Sequence, residues 1–262
     1  MADDRSGAGD PARTLLLLWR HAPGAGTTPE PSARRGPRPG LSVDAVVARA
    51  VTLADEHGLE RLTMRGVAAG LGVSVMSLYT YVPGKPELLD CMLDDVYLRM
   101  PRPAWQPGPW RTRLRAVADA NLALFRQHPW VASVGTARPP LGPGLMAKYE
   151  HELRAFDGLG LDDVTVDDCL TLLLTFVQAA ARTAIAAGRN ALDSAMSDEQ
   201  WWAANAPLLS RVFDDTAYPT AARVGTAAGA AHGSAYDPDH GYTFGLDRVL
   251  DGIAVLVEAA GR

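Results

Sequence analysis

The sequence predicts an all-α chain in which a small N-terminal helical module is joined by a linking helix to a larger helical bundle. Three observations predict it. Beyond residue 40, apolar residues recur at three- and four-residue spacing, with little period-two alternation. The stretch 63–85, TMRGVAAGLGVSVMSLYTYVPGK, reads as two short helices joined by a tight turn, followed by the start of a third. Pro101, Pro103, Pro107 and Pro109 then break the helical pattern and mark a boundary between the two parts.

Residues 1–40 are rich in Pro, Gly, Ala and Arg and are expected to be largely disordered. The exception is PARTLLLLWRH at 11–21, whose Leu15–Trp19 run is long enough for one or two helical turns docked on the body. Arg34, Arg35 and Arg38 fit either a basic arm on DNA or a solubilising tail. The module spans 41–100. Its first helix, 42–58, has Ser42 as N-cap, an apolar stripe of Val43, Val46, Val47, Ala50, Val51 and Ala54, and Gly58 as its stop. Thr63 caps the second helix and Ser74 the third, which Pro83–Gly84 ends.

The spacing of Ala68, Gly72 and Leu78 is that of a helix-turn-helix. Ala68 is small enough for a second helix to cross over it. Gly72 supplies the positive φ of the turn, and a β-carbon there is expected to clash. Val67, Leu71, Val73, Leu78 and Val82 fill the seam. The linking helix runs from Lys85 to about residue 100. In the bundle, 101–262, helices are expected at 110–128, 142–158, 164–187, 198–214 and 242–258. A long Ala/Gly/Pro-rich loop is expected at 216–241.

The chain carries a net charge of −5, yet the segment from Arg34 to Lys85 is net +3, leaving −8 on the rest. A positive module on an acidic body suits a sequence-specific regulator and excludes a DNA-coating protein that is basic throughout. Two cysteines, Cys91 and Cys169, each inside a predicted helix, argue against a disulfide framework or a Cys-type zinc site and fit a cytoplasmic protein. The Leu15–Trp19 run is too short for a secretory signal. The apolar run 170–187 is interrupted by Gln178 and Arg182, so no membrane span is expected. Catalysis is not expected either. No GxSxG, phosphate loop or dinucleotide fingerprint is present, and in Glu150–His151–Glu152 adjacent side chains point to different sides of a helix.

LTMRGVAAGLGV followed by MSLYTYVPGKPELLD resembles the DNA-binding domain of the TetR (tetracycline repressor) family of bacterial regulators. The pair Tyr79 and Tyr81 followed by Gly84–Lys85 is that family's pattern after its recognition helix. SVGTARP at 133–139 and YTFGLDRVLDGI at 242–253 resemble the C-terminal domain of the tetracycline-repressor subgroup. The resemblance implies a homodimer joined by helices 164–187 and 242–258, with a ligand pocket in each bundle. It implies a double-stranded DNA operator as partner and repression released by a small-molecule effector. The alternative is a ligand-independent activator or architectural DNA-binding protein, against which the large second domain weighs.

If the third helix enters the major groove, Ser74, Val75, Met76, Ser77, Thr80 and Tyr81 face the bases, with Leu78 turned inward. Val75 and Met76 would read shape or thymine methyls, while Ser77 and Thr80 can bond base edges or phosphates. Arg65 is the side chain able to pair bidentately with guanine, and the resemblance places a base-contacting Arg there. Tyr79, Tyr81 and Lys85 match phosphate-contacting positions, although Tyr79 also suits the core; Thr63 completes this surface. Lys85 and Lys148 are the only lysines among 25 basic residues, so a lysine at 85 is not background composition. Effector-site candidates are polar or aromatic residues on apolar helix faces: Asn121, Phe125, Met146, Tyr149, Phe176, Gln178, Arg182, Trp201 and Trp202. They suggest an apolar or aromatic ligand. His128–Pro129 is read as a helix end. Ser133 and Val134 stand where the tetracycline repressor's magnesium-binding histidine is expected, so no metal or other cofactor is implied.

Overall fold

A computed structural model describes residues 5–23, 41–136, 138–234 and 237–261. Arg34, Arg35 and Arg38 lie outside them. The described residues form helices α1 (Pro11–Leu18), α2 (Val43–His57), α3 (Met64–Gly70), α4 (Val75–Tyr79), α5 (Lys85–Arg99) and α6 (Trp110–Gln127). There follow α7 (Pro129–Ser133), α8 (Pro143–Leu153), α9 (Asp163–Ser194), α10 (Asp198–Val212), α11 (Pro219–His232) and α12 (Pro238–Ala260). No strand occurs among them, only an isolated bridge between Arg5 and Gly135. The all-α expectation is met.

The chain divides into two compact units, Met1–Leu170 and Thr171–Arg262. The sequence reading put the boundary at the proline segment 101–109. That segment lies inside the first unit, because α5 packs most extensively on α8, beyond the prolines.

In the first unit the caps expected from sequence form. Ser42 Oγ accepts from Ala45 N–H, Thr63 Oγ1 from Gly66 N–H and Ser74 Oγ from Ser77 N–H, at 3.0–3.1 Å. Val46, Val47, Ala50, Val51 and Ala54 line the buried face of α2, and Val67, Ala68, Leu78 and Val82 close the seam against it. Leu71 and Val73, expected in that seam, are only half-buried. Gly72 has φ +67°, as the turn requires, but no atom lies within 4 Å of where a β-carbon would sit. The expected clash is therefore corrected: the constraint is conformational, not steric. Gly72→Ala should cost about 1–2 kcal/mol, the left-handed penalty of an L-residue, with no repacking of the module. Urea unfolding with an unchanged m-value would show it.

Residues 5–23, read as part of a largely disordered extension, are folded onto this unit. Asp10 caps α1, Pro11 opens it, and Thr14 and Leu18 are buried. The expected one or two turns in this stretch are thus present.

In the second unit, the loop expected at 216–241 contains helix α11. Pro219 does not break this segment but occupies its first turn, where the missing N–H costs nothing. Alanines carry the helix through two internal glycines, and Gly233, at φ +66°, stops it. Asp237 then caps α12, with Pro238 at its start, so that helix begins before Tyr242. α9 also runs past Ala187, to Ser194. Helices α10 and α11 bury none of their residues.

Candidate functional site

Helices α3 and α4 present a polar and apolar face built by their own caps. Ser74 Oγ is held by Ser77 N–H and lies 2.8 Å from Ser77 Oγ, and Thr80 Oγ1 donates to the Ser77 carbonyl at 2.6 Å. Three of the four hydroxyls expected to meet DNA (Thr63, Ser74 and Thr80) therefore order the backbone as well. Leu78 is fully buried, as expected, which turns the other side of α4 outward. Met76 is 75% exposed and Tyr79 43%, while Val75 and Tyr81 are half-buried. The exposure of Tyr79 speaks against a purely core role. Arg65, exposed in the first turn of α3, makes no hydrogen bond or ion pair among the described residues. Its guanidinium is available.

Lys85 opens α5, and its Nζ donates inward to the Leu59 carbonyl at 3.2 Å. It thereby ties the linking helix to the turn before α3. A second tie comes from the corner between α6 and α7. His128 Nδ1 lies 2.8 Å from Asp55 Oδ1, and Trp130 Nε1 donates to the same oxygen at 2.8 Å. Asp55 sits near the end of α2, so the reading module is fastened to the helix end that the sequence marked at His128–Pro129.

The buried face of α5 carries Glu87, Asp90 and Asp94. Asp94 Oδ1 accepts from Leu145 N–H at 2.8 Å, at the start of α8. Burial pushes the carboxyls of Asp90 and Asp94 above the usual range, against the hydrogen bonds they accept. Burial likewise pushes the Cys91 thiol up to about 12, so it stays protonated. Both cysteines are free and buried.

The nine effector-site candidates are not gathered in one cavity. Within the first unit, a small cavity of about 60 Å³ is lined by Met100, Trp105, Val117, Lys148, His151 and Glu152, among others. Asn121 Nδ2 donates to Glu152 Oε1 at 2.6 Å, and Lys148 Nζ to Glu152 Oε2 at 2.7 Å. The Trp105 and His151 rings stack 4.5 Å apart, and burial pulls the His151 pKa down. Phe125 is buried, whereas Met146 and Tyr149 are exposed; Tyr149 Oη donates to Asp167 and borders a separate cleft of about 410 Å³.

Within the second unit, Phe176 stacks on Tyr242, Gln178 is half-buried and Arg182 is exposed. Trp201 lines an open groove of about 680 Å³ with α9 residues such as Thr183, Ala187 and Asn190. Trp202 faces the other way, against Gly229. The two adjacent tryptophans diverge, as helical geometry demands.

The sequence reading missed the Lys148–Glu152 pair. Its signal was present: one of two lysines, four residues before an acid, on a helix facing an apolar core. A buried ion pair at the floor of a cavity is a weak contributor to stability and a strong orienting element for a polar ligand atom.

Residues 46–92, which hold α2–α4 and most of α5, match the model of bacterial regulatory proteins of the tetR family. Residues 102–257 match that of the tetracyclin repressor-like C-terminal domain. The chain belongs to the TetR family. It is a helix-turn-helix transcriptional repressor. Among its TetR-family relatives is the HTH-type transcriptional repressor DrrR1 of Streptomyces coeruleorubidus, 42% identical over 259 residues, covering 97% of this chain and 89% of that one. An HTH-type transcriptional regulator of Saccharopolyspora erythraea is 34% identical over 156 residues, 58% of this chain and 65% of its own. Among solved structures, apo ActR from Streptomyces coelicolor superposes with a TM-score of 0.65 at 28% identity, covering 85% of this chain and 100% of that one. ActR in complex with actinorhodin gives 0.69 at 27% identity, covering 83% and 97%. Among the described residues of this TetR-family chain, no group of three or more His, Cys, Asp or Glu side chains is placed to hold a metal ion.

Proposed function

We propose that the chain acts as a homodimer on a palindromic operator and is released from it by an apolar, aromatic small molecule. The observation that carries this reading is the outward face of α3 and α4: available Arg65, exposed Met76 and Tyr79, and the Ser77 and Thr80 hydroxyls, held on a fully packed Leu78. In the groove, Arg65 would read a guanine, Val75 and Met76 thymine methyls, and Ser74, Ser77 and Thr80 base edges or phosphates. Thr63, Tyr79, Tyr81 and Lys85 would hold the backbone.

Dimerisation is supported by exposed apolar residues on the second unit's long helices. On α12, Phe244 and Val255 lie on one stripe with Arg248, and on α9 Leu172, Thr175 and Ala179 are exposed at helical spacing. Covering these stripes with a second copy would also account for α9, which is long and apolar enough to cross a membrane yet lies in a DNA-binding regulator. For the effector, ActR's complex with actinorhodin supports a flat aromatic ligand. Asn121, Phe125 and the Lys148–Glu152 pair offer it one apolar wall and one donor–acceptor edge. Met146, Tyr149, Phe176, Gln178, Arg182, Trp201 and Trp202 are further candidate contacts.

The test is a gel-shift scan of the promoters beside its own gene. A specific shift at moderate salt is expected, with two half-sites about 34–36 Å apart or a multiple of that. No specific shift would sink the reading. Planar aromatic compounds should then raise the melting temperature and release the DNA. If none does either, the ligand-independent alternative takes its place.

A further inference from the structure

Residues 5–23 have no part in the functions above, yet they are tied to three separate elements of the first unit. Ser6 Oγ donates to Asp90 Oδ1 at 2.5 Å, Gly7 N–H to the same oxygen at 3.1 Å, and Asp10 N–H to Glu87 Oε1 at 3.1 Å. Two of the three acids on the buried face of α5 are thus satisfied by this segment. Asp90 is only 1% exposed, a position where a carboxylate without donors would be costly. Helix α1 then packs along α5. At its end, Arg20 Nε donates to Asp44 Oδ1 at 2.9 Å, and His21 Nε2 lies 3.2 Å from that oxygen, in the first turn of α2. The third tie is to the corner between α7 and α8. Ser6 N–H donates to the Gly135 carbonyl at 3.0 Å, and Trp19 Nε1 to the Leu141 carbonyl at 2.7 Å.

We propose that residues 5–23 are a positioning strap for operator binding, joining the first helix of the reading module, the linking helix and the 135–141 corner into one arrangement. The proposal rests on the operator-binding reading above. Any swing of α2 against α5 must break the strap at Asp44 or at Asp90. A reading head held in one arrangement has less freedom to lose on DNA, so the strap raises affinity without touching it.

The experiment uses the full chain carrying Ser6→Ala, Arg20→Ala and His21→Ala together, titrated on the operator by fluorescence anisotropy across a salt series. Binding should weaken about tenfold at every salt concentration, the scale of a few lost restraints. The slope of log K against log salt should stay that of the parent, because no phosphate contact is lost. Amides of Gly7 and Asp10 should exchange faster in the variant while those of α2 and α5 do not, which separates the strap from general unfolding. The reversed pair Arg20→Asp with Asp44→Arg should recover part of the affinity that Arg20→Asp alone loses.

Parent-like affinity in the triple variant would overturn the strap. So would a slope reduced by about 0.9 for each lost phosphate contact, since Arg20 or His21 would then touch DNA. Failure of the parent itself to shift any promoter would overturn the operator-binding reading and the strap with it.

Discussion

Gly144→Ala is expected to push α8 off α5 and lower the stability of the first unit by about 3 kcal/mol, the upper end of overpacking effects. A β-carbon at position 144 would lie 1.9 Å from the Asp94 carbonyl oxygen, and 2.9 Å from both the Asp94 carbonyl carbon and the Leu98 nitrogen. All three are backbone atoms, so no change of rotamer relieves the contact. The helices must separate, and the 2.8 Å hydrogen bond from Leu145 N–H to Asp94 would lengthen with them. Asp94 would then be a buried carboxylate with weaker donors, adding to the cost. Calorimetry should show a melting temperature lower by about 6–12 °C for a unit of this size. A melt unchanged from the parent would mean that α8 is not held where it crosses α5.

Arg65→Ala should relax specificity at one base pair, costing about 1–3 kcal/mol per half-site, with the loss counted in both half-sites of a palindrome. Arg65 is exposed and unbonded among the described residues, so its removal leaves the fold intact and isolates the readout. Lys85→Ala should behave differently. It should weaken all sequences evenly and reduce the salt slope by about 1, the mark of one phosphate contact. It should also lower the melting temperature slightly, because Lys85 Nζ holds the Leu59 carbonyl. Anisotropy titrations against single-base operator variants at two salt concentrations separate the cases. An even loss for Arg65→Ala with a sequence-dependent loss for Lys85→Ala would show that readout and positioning are reversed.

The reading module was legible in the sequence because its signals are local. Ser42, Thr63 and Ser74 sit one residue before their helices, Gly58 and Gly72 supply positive φ where the chain turns, and the α2 stripe follows helical spacing. Helix α11 was misread for the same kind of reason. Pro219 and the glycines are breakers in the middle of a helix but harmless at its first turn or amid alanines, and the choice depends on where the helix starts.

The effector site was hardly legible. Whether Asn121 meets Glu152, or Trp202 turns to Gly229 while Trp201 lines a groove, depends on helix crossings that no local pattern encodes. The strap was invisible for that reason too, since Ser6 and Asp90 are 84 residues apart.

The sequence by itself determined the helices of the module, their caps, the turn at Gly72 and the family to which the chain belongs. All of these are set by interactions within a few residues or by a motif read along the chain. Only the tertiary structure decided that Lys85 points to Leu59, that Asp55 holds His128 and Trp130, and that the acids of α5 are answered by the N-terminal segment. A buried polar group takes its partner from whichever element is packed against it, and that packing is a property of the whole fold.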